Sequence, residues 1–555
     1  KARLWELIQA ACPSDIRPVK RWVEWPEDLR PAVKAYAEAN PIVPISPKTG
    51  KPLKERVPVI KIGDGLNIDE LVIAAGELGY KFGLVPNLNK DCVYKLQDFL
   101  PNSTDHLKNY LRYFAVKVPV NLSDEETTGR TELDKLMKRL KLISEADGVS
   151  KIPTAIWQSA FAVKANKDTF PKLKQAAQEV HAFLENILTY RKLHKAKATY
   201  ITGEGWTPNS TTGRIHTTFT LSATATLQLS SRKPNVQNIP KGKNPKDKVG
   251  MMLGRLLRKT VKAKPGHLIV EFDYGGCHLV TMGLEAEDPQ YIRLARIDGH
   301  SFLAAHMARV ELGDKIPPEL ADLDDWLSYD DATLAAKLAW VKKNFKGLRN
   351  DKAKPALLGN QLGLGSRKLY ALNDDSFKNE AEAKQVQAIL AKLFPKIGAY
   401  QARTRALAQR QGYLISPYGS IRRFFEVERF DPKTRGLVPG LDAEKAGAFF
   451  VQVNAQGKLR EAMIELEEQG WNERCNLINQ VHDSLVYEMP IELLEEAVPA
   501  IAAIMEKPAS RLKHPTICPE GLVLQCEASI GVDWSSIEEV KIKDGKVVEW
   551  PEAIR

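Results

Sequence analysis

The sequence contains few cysteines, and they are scattered. Six occur among 555 residues, without a Cys-x-x-Cys pair or a cysteine–histidine zinc pattern. Scattered cysteines in a long chain are typical of a reducing compartment. The chain also lacks an apolar run of bilayer-spanning length, internal repeats and low-complexity tracts. Its first residues, KARLWELIQAACPSDIR, do not resemble a secretory signal. We therefore expect a protein without a membrane partner.

Basic residues outnumber acidic ones. Lys and Arg total 80 and Asp and Glu total 69, so the formal net charge is +11. This balance favours a polyanionic partner such as a nucleic acid. The composition, 43% hydrophobic and 27% charged, is that of a globular protein, and 555 residues suggest several domains or one large multi-lobed enzyme.

The pattern of residues changes along the chain. Residues 1–115 mix Pro-rich turns with short apolar runs and carry no chemical motif. Residues 125–200 are predicted to be helical, with lysines that either face solvent or follow a phosphate backbone. From residue 213 onwards, β-branched alternation and turn clusters predict strands and loops. Residues 290–410 are predicted to be mainly helical, and residues 411–535 to alternate strands and helices.

Two apolar segments carry an aspartate at a strand end. LIVEFDYGG places Asp273 ahead of two glycines, and LINQVHDSLVYE places Asp483 in a polar break between two strand-like arms. A polar turn by itself explains the second segment. Two such carboxylates can also hold two Mg²⁺ ions, for which Mn²⁺ can substitute, because Mg²⁺ takes one or two protein carboxylates and completes its shell with substrate phosphates. Two ions ~4 Å apart activate an attacking hydroxyl and stabilise a leaving pyrophosphate.

A third segment is basic. GLRNDKAKPALLGNQLGLGSRKLY places Arg349, Lys352 and Lys354 ahead of an apolar, glycine-punctuated stretch. Basic side chains at helical spacing can bind a triphosphate, and Lys354 can donate a proton to departing pyrophosphate.

Five stretches in a fixed order give the chain a resemblance to the family A DNA polymerases, the class of bacterial DNA polymerase I and its phage and organellar relatives. TGRIHTTFTLSATATLQLSSRKPNVQNIP is similar to the family's T-G-R-x-H…LSS…PNLQNIP segment, and VEFDYGGCHLV is similar to its motif A. The segment around Lys354 resembles motif B, VNAQGKLREAM the N-x-x-x-Q-G-x-A helix, and INQVHDSLVYE motif C. The resemblance begins near Tyr190 and reaches the C-terminal ASIGVDWSS.

The resemblance implies an α+β, right-hand polymerase fold with an antiparallel-sheet palm, helical fingers and a helical thumb. The expected domains are a divergent N-terminal region of unknown role (1–115), the thumb (116–212), the first part of the palm (213–285), the fingers (286–410) and the second part of the palm (411–555). The implied activity is template-directed addition of dNTPs to a primer 3′-hydroxyl by two-metal-ion nucleotidyl transfer. The implied partners are primer–template DNA and dNTPs, with replication accessory proteins as further candidates. We expect a monomer in the cytoplasm, that of the host for a phage protein, or in an organelle.

The resemblance also implies roles for individual residues. Asp273 and Asp483 are the expected catalytic metal ligands, together with the backbone carbonyl of Tyr274, and Lys354 is the expected catalytic cation. The expected contacts to the incoming nucleotide are Lys354, Arg349, Lys352, His300, His278, Leu358 and Leu362. The expected contacts to primer and template, several of them through minor-groove acceptors, are Gln228, Asn235, Gln237, Asn238, Arg422, Arg423, Gln456, Gln480 and His482. The alternative for each polar residue is that its side chain is hydrogen-bonded or ion-paired within the protein and does not contact DNA or nucleotide.

Several positions depart from the family pattern. His278 replaces the motif A glutamate that crowds the sugar 2′ position, and Leu362 replaces the motif B tyrosine that contacts it. Because both partners change together, we expect no buried unpaired group there and hypothesise altered sugar discrimination. Leu358 replaces the aromatic that flanks the sugar, which predicts slower incorporation and poor acceptance of dideoxynucleotides. Gln228 replaces an arginine that contacts the primer end.

Two further departures concern charge. Ser484 replaces the acid that follows His-Asp in motif C, so a third carboxylate near the metals is missing. The interval between Arg349 and Lys354 is five positions where the family has four. Asn350 therefore occupies the expected arginine site, and Lys352 becomes an alternative triphosphate ligand.

No exonuclease domain is recognisable upstream. The one Asp-x-Glu of interest, Asp124 to Glu126, lies close to the polymerase region and does not follow a buried strand pattern. Either the chain lacks proofreading or it is a fragment, and we expect no 3′–5′ exonuclease within it.

Two other functions stay open. A single-subunit RNA polymerase of the phage or mitochondrial type shares the palm, and His-Asp-Ser and DYGGCH favour it, whereas PNVQNIP and Leu362 favour the DNA polymerase. A catalytically silent relative that only binds DNA fits the many substitutions, although Asp273, Asp483 and Lys354 are all present.

Overall fold

The structure of the chain is a computed structural model that describes residues 98–552 apart from 122–124, 222, 243–246, 375, 433–434 and 544. Before residue 98 it describes residues 2–12, 19–22, 81–84 and 91–96 and the single positions 31, 34, 35 and 38. Asp124 and most of the predicted N-terminal region therefore lie outside the described residues. The chain divides into two compact units, Lys1–Ala196 and Lys197–Arg555.

The first unit contains helices packed around one apolar core. Its helices are α1 (Ala2–Ala11), α2 (Thr104–Tyr113), α3 (Arg130–Glu145), α4 (Thr154–Ala160) and α5 (Phe170–Tyr200), the last of which crosses the boundary between the units. A short 3₁₀ turn, Val149–Lys151, precedes α4. Leu133, Leu136 and Leu140 follow one another at helical spacing on α3 and are fully buried in this core. The helical prediction for residues 125–200 is confirmed.

The first unit also contains an antiparallel sheet of three strands in the order β1–β3–β2. Its strands are β1 (Val19–Trp22), β2 (Lys81–Leu84) and β3 (Asp91–Leu96).

The second unit is organised around a six-stranded antiparallel sheet in the order β11–β12–β6–β13–β14–β15. Its strands are β6 (His267–Tyr274), β11 (Leu477–Val481), β12 (Ser484–Pro490), β13 (Cys526–Gly531), β14 (Glu538–Lys543) and β15 (Lys546–Glu549). Strand β6 lies between two neighbours and is buried on both faces. Because successive side chains alternate between faces, Phe272 points into one core cluster and Ile269 into another. Asp273 therefore shares the face of Ile269.

Helices cover the sheet and continue into a second apolar core. The helices of this unit are α6 (Lys248–Lys259), α7 (Cys277–Glu285), α8 (Pro289–Ile297), α9 (Gly299–Leu312), α10 (Asp331–Asn344), α11 (Lys354–Gln361), α12 (Ser366–Leu372), α13 (Glu380–Leu393), α14 (Pro395–Gln411), α15 (Ala443–Glu468), α16 (Trp471–Arg474) and α17 (Leu494–Met505). Short 3₁₀ turns lie at Gly313–Lys315, Pro318–Leu320, Leu323–Ser328 and Ile491–Leu493. Helices α8–α14 build the second core, which confirms that residues 290–410 are mainly helical. No helix among the described residues is both long and apolar enough to cross a membrane.

Three small hairpins complete the second unit. They are formed by β4 (Thr218–Thr220) with β5 (Ser230–Arg232), β7 (Tyr413–Ile415) with β8 (Ile421–Arg423), and β9 (Glu428–Asp431) with β10 (Gly436–Pro439). The last two lie between α14 and α15 in sequence.

Candidate active site

Two neighbouring strands bring the two predicted metal ligands to the same edge of the sheet. Strands β11 and β12 form a tight hairpin in which Val481 pairs with Ser484, so His482 and Asp483 form its tip. Ser484 in turn pairs with Asp273 on β6, and the amide of Tyr274 lies 3.4 Å from the carbonyl oxygen of Asp483. The strand register thus brings together Asp273 and Asp483, which are 210 positions apart in sequence.

The chain turns sharply as it leaves Asp273. Gly276 has a φ of +61°, in the left-handed region where a side chain is disfavoured, and α7 begins at the next residue. The turn brings Cys277 back towards the hairpin tip, where its thiol donates a hydrogen bond to Oδ2 of Asp483 at 3.0 Å. The hydroxyl of Tyr274 donates to the carbonyl of Met505 at 2.7 Å and anchors the end of β6 to the core.

The electrostatics of the aspartate pair favour a bound cation. Burial and the nearby carboxylate of Asp483 raise the pKa of Asp273 well above its usual range, which means that two charged carboxylates at this place repel each other in the absence of a counter-charge. Within the described part of the chain, no three His, Cys, Asp or Glu side chains converge as a metal-binding cluster. Two carboxylates match the sparse protein ligation that Mg²⁺ accepts when phosphates complete its shell.

A chain of side-chain amides holds the tip of the hairpin. The carbonyl of His482 accepts hydrogen bonds from Nε2 of Gln480 at 2.7 Å and from Nε2 of Gln456 at 2.8 Å. Nε2 of Gln237 donates to the carbonyl of Gln480 at 2.8 Å and to its Oε1 at 3.2 Å, and Oε1 of Gln237 accepts from the amide of Ser231 at 2.8 Å. These bonds stabilise His482 at its φ of +57°, which is uncommon for a residue other than glycine. All three glutamines are buried, so the structure assigns them a positioning role and their contact with DNA stays a prediction.

The glycine after Gln456 also has a structural reason. A Cβ atom at Gly457 would come within 2.2 Å of the ring of Tyr418. The aromatic ring therefore packs directly on the backbone of α15, one residue after Gln456.

The other predicted DNA contacts are more accessible. His482, Asn238 and Arg423 are exposed. Asn235 is half-buried, and its Oδ1 accepts hydrogen bonds from Oγ of Ser231 and from the amide of Asn238.

Two more of these predicted contacts are half-buried. The guanidinium of Arg422 lies 5.3 Å from the ring centre of Phe424, and the carbonyl of Gln228 accepts from the hydroxyl of Thr224 at 2.8 Å. Contact of these residues with DNA stays a prediction.

The unusual interval between Arg349 and Lys354 corresponds to a π-helix. Residues Leu348–Ala353 form this π-helix, and the amide of Lys354 donates to the carbonyl of Arg349, five residues earlier. A π-helix accommodates one extra residue per turn and often occurs at functional sites. The π-helix therefore accommodates the extra residue between Arg349 and Lys354, and the regular helix α11 begins at Lys354.

Arg349 is bound to a carboxylate inside the protein. Its Nε and Nη2 donate to the two oxygens of Asp298, each at 3.0 Å, and Nε also contacts Oγ of Ser301 at 2.9 Å. Asp298 caps the N-terminus of α9, so the pair connects that helix to the π-helix. Its contact with a triphosphate stays a prediction.

Lys352 is also held by carboxylates, those of Glu311 at 2.9 Å and Glu382 at 2.6 Å. Lys354 differs, because it is exposed and makes no ion pair with the described residues. The contacts of Lys352 and Lys354 with a triphosphate stay predictions. His300 lies close enough to Lys354 for their charges to interact. Burial lowers the pKa of His300 to about 4, so its imidazole is neutral at neutral pH.

Leu358 and Leu362 lie one turn apart on and just after α11, and each is 39% exposed. Their contacts with a nucleotide stay predictions.

The expectation that the replacement at His278 leaves no buried unpaired group is wrong. Nε2 of His278 is buried without a hydrogen-bond partner among the described residues, whereas we expected no unpaired group. Leucine at 362 has no polar side-chain atom and could not serve as that partner.

Sequence reasoning missed the buried hydrogen-bond partners of strand β6. Glu271, two residues before Asp273, accepts hydrogen bonds from Oγ of Ser484 at 3.0 Å and from Nε1 of Trp534 at 2.8 Å. The serine of motif C thus satisfies a buried carboxylate behind the site. Only the charge of Glu271 within an apolar run was visible in the sequence.

The Asp-x-Glu considered for proofreading is only partly described. Glu126 forms ion pairs with Arg112 at 2.7 Å and with Lys108 at 3.5 Å. These two cations account for its charge within the helical first unit.

Comparisons with known proteins agree with the geometry. The model of DNA polymerase family A matches residues 94–319 and 334–536. The thermostable DNA polymerase I of Thermus aquaticus is 29% identical over 384 residues, which cover 67% of this chain and 39% of the relative. DNA polymerase I of Rhizobium leguminosarum is 25% identical over 396 residues, 70% of this chain and 33% of the relative. The chain thus spans well under half of the length of these curated relatives.

A solved structure shares the fold. The POL domain of Pol1 from M. smegmatis, in complex with a DNA primer-template and dNTP, superposes with a TM-score of 0.54 at 20% identity and covers 80% of this chain and 62% of that one. The predicted α+β polymerase fold and the resemblance stated from the motifs are confirmed. The five-part domain division stays a prediction.

Proposed function

Since the chain belongs to DNA polymerase family A, we propose that it is a template-directed DNA polymerase that extends the 3′-hydroxyl of a primer with dNTPs. The observation that carries this proposal is the register of β12 on β6, which brings Asp483 and Asp273 to one sheet edge. Lys354 supports it as an exposed cation on the second unit.

We propose two Mg²⁺ ions, replaceable by Mn²⁺, as cofactors. When bound, they would lower the pKa of the attacking hydroxyl and neutralise charge on the leaving pyrophosphate. Asp273, Asp483 and the carbonyl of Tyr274 would hold them. The amide chain through Gln456 and Gln480 keeps the hairpin tip fixed, so the carboxylate does not have to reorganise during the reaction.

We propose that Lys354 and His300 contact the triphosphate. The ammonium of Lys354 is a charged donor that makes no ion pair with the residues the structure describes, and the neutral imidazole of His300 can donate one hydrogen bond. Lys354 would also protonate the departing pyrophosphate. The side chain of Arg349 is only 18% exposed and is paired with Asp298. This suits a role in stabilising the N-terminus of α9, which Asp298 caps.

We propose that His278 and Leu362 change the discrimination between deoxyribose and ribose. Nε2 of His278 is buried and has no hydrogen-bond partner in the described part of the chain, which supports this proposal because a sugar hydroxyl would satisfy it. Steady-state incorporation of rNTPs and dNTPs should show a smaller preference for dNTPs than in the variant His278→Glu/Leu362→Tyr. An unchanged preference in that variant would refute this assignment and leave the polymerase proposal intact.

The proposed partners are primer–template DNA and dNTPs, with accessory replication proteins as further candidates. A monomer in the cytoplasm, that of a phage host included, or in an organelle agrees with the scattered cysteines. We propose no proofreading for these 555 residues, because Glu126 is engaged by Arg112 and Lys108.

Primer extension on a primed DNA template with Mg²⁺ tests the proposal. The wild type, Asp483→Ala and Asp314→Ala would each receive dNTPs or rNTPs in separate reactions; Asp314 is an exposed acid in a 3₁₀ turn and serves as the matched control. We expect extension with dNTPs in the wild type and the control and none in Asp483→Ala.

Each other result has a defined meaning. Extension with rNTPs alone would favour the RNA polymerase. Absence of extension with both pools, combined with intact DNA binding, would favour the silent DNA-binding relative.

A further inference from the structure

An exposed aromatic surface lies next to the predicted DNA-binding arginines. We call residues 425–441 the aromatic hairpin; it contains β9 and β10. Phe430 and Leu437 pair directly across the two strands and are 62% and 68% exposed. At the base of the hairpin, Phe425 is 90% exposed and Leu441 is 78% exposed. Single exposed apolar residues are common, but a group of this kind marks an interaction surface.

The surface carries positive charge. Residues 421–441 contain five basic and three acidic residues. Arg423, Arg429 and Arg435 are exposed, and none of them forms an ion pair with the described residues. Exposed phenylalanines among unpaired arginines match the surfaces that bind single-stranded nucleic acid, where bases stack on rings and cations follow the backbone.

The position of the aromatic hairpin is fixed by contacts at its base. The carboxylate of Asp442 accepts hydrogen bonds from the amides of Phe425 at 2.9 Å and Glu426 at 3.3 Å. Asp442 immediately precedes α15, the helix that carries Gln456. Gln456 lies thirteen positions after Ala443 on this helix, which places the hairpin ~20 Å along the helix axis from Gln456.

The N-terminal end of α15 lies against α12, the helix that follows α11 in sequence. Glu444 forms an ion pair with Lys368 at 2.5 Å. A Cβ atom at Gly447 would lie 3.8 Å from Gln401, whose Nε2 donates to the carbonyl of Asn360 at 2.5 Å. The end of α15 that carries the aromatic hairpin is therefore close to the C-terminal end of α11, the helix that begins at Lys354.

We infer that the aromatic hairpin binds the unpaired template strand, with bases stacked on Phe425 and Phe430 and phosphates contacted by Arg423, Arg429 and Arg435. This inference rests on the proposed polymerase function. Unpaired bases are required because a ring can stack on a base face only when the neighbouring base has left it. Duplex DNA offers phosphates to the arginines but no free base faces to the phenylalanines.

Fluorescence anisotropy of labelled primer–templates tests this inference with the full chain. Three substrates share one duplex: a blunt end, a 5′ template overhang of about ten nucleotides, and the same overhang with abasic sites. The proteins are the wild type, Phe425→Ala/Phe430→Ala, Arg429→Ala/Arg435→Ala, and Val548→Ala as the control, since Val548 is 60% exposed on the distant edge strand β15.

We expect the overhang to strengthen binding by the wild type and the control. The phenylalanine variant should lose ~5-fold or more on the overhang, nothing on the blunt duplex and nothing on the abasic overhang. The arginine variant should weaken binding to both overhangs and lower the dependence of affinity on salt.

Other outcomes would overturn the inference. Equal losses on all three substrates would mean that the phenylalanines act on duplex binding or on folding. No loss on any substrate would mean that the surface faces another partner, such as a protein. In either case, retained binding to the blunt duplex and retained primer extension would leave the proposed polymerase function standing.

Discussion

The thiol of Cys277 donates a hydrogen bond to Oδ2 of Asp483, with Sγ 3.0 Å from the oxygen, although the two residues are 206 positions apart in sequence. Cys277 is buried at the start of α7, so it cannot move away without disturbing the helix. The contact holds the carboxylate in one orientation next to Asp273. Cys277 is therefore expected to act as a positioning residue for the proposed metal ligands.

Replacement of this thiol should separate its donor function from its volume. Cys277→Ser keeps a donor and should retain activity close to that of the wild type. Cys277→Val removes the donor and should lower kcat ~3- to 10-fold, because a hydrogen bond contributes ~0.5–1.5 kcal/mol, and should raise the Mg²⁺ concentration needed for half-maximal rate. Single-nucleotide incorporation against Mg²⁺ concentration measures both. Equal losses in the two variants would show that only packing matters.

The raised pKa of Asp273 predicts how stability depends on pH in the metal-free protein. The native state keeps a proton that the unfolded state has released, so stability should fall as pH rises from the usual aspartate range, near ~3.9, towards neutrality. In the variant Asp273→Asn, the asparagine side chain cannot ionise. This substitution should raise Tm by a few degrees at pH 8 in the presence of EDTA and should have little effect on Tm at pH 4. Thermal unfolding at both pH values measures the two effects.

Asp442 provides a control of opposite sign. The ammonium of Lys445 and the amide of Phe425 lower the pKa of Asp442, so its charge stabilises the fold above the usual aspartate pKa and that contribution is lost as pH falls. Asp442→Asn should therefore lower Tm at pH 8. A fall in Tm for both asparagine variants at pH 8 would contradict the electrostatic account of Asp273.

The pair between Arg349 and Asp298 predicts a loss of stability on mutation. Arg349→Ala leaves a carboxylate that is only 14% exposed without its cation, which should cost ~2–3 kcal/mol of unfolding free energy. A double-mutant cycle should show that Asp298→Ala costs less in the Arg349→Ala background than in the wild type, where it also removes the ion pair; the loss of the α9 cap remains in both. Unchanged stability together with a much higher KM for dNTPs would instead indicate that Arg349 leaves Asp298 to bind the triphosphate.

Leu358 predicts the response to dideoxynucleotides. Leu358→Phe places a ring at a position that is 39% exposed on α11, and stacking there should raise kcat/KM for dideoxynucleotides ~2- to 10-fold, given ~0.5–1.5 kcal/mol for an aromatic contact. Leu358→Met has a similar volume without a ring and is the matched control. Steady-state incorporation of dideoxynucleotides measures both. Equal effects of Phe and Met would rule out stacking as the cause.

Much of the fold could be predicted from the sequence, whereas the roles of the site residues stay predictions. Helical spacing predicted the helices of residues 125–200 and 290–410, and the apolar arms around Asp273 and Asp483 predicted the two strand ends. These patterns are local, because alternation and helical periodicity repeat within a few residues. The resemblance to family A then followed from the order of five motifs.

The sequence showed an irregular interval between Arg349 and Lys354, but only the structure revealed the π-helix that absorbs it. Hydrogen-bond geometry in a helix depends on the packing of its neighbours, here α9 through Asp298, as well as on local spacing. The unpaired nitrogen of His278 is a similar case, since its environment is set by elements distant in sequence.

The sequence by itself thus determined the chemical groups, the secondary structure around them and the family. The tertiary structure decided which groups meet: Cys277 with Asp483, Gln456 and Gln480 with the carbonyl of His482, and Ser484 with Glu271. Each of these contacts except that of Gln480 with His482 joins residues that are far apart in the chain. Strand register and helix docking set such contacts, and both depend on the packing of the whole unit rather than on any short stretch of sequence.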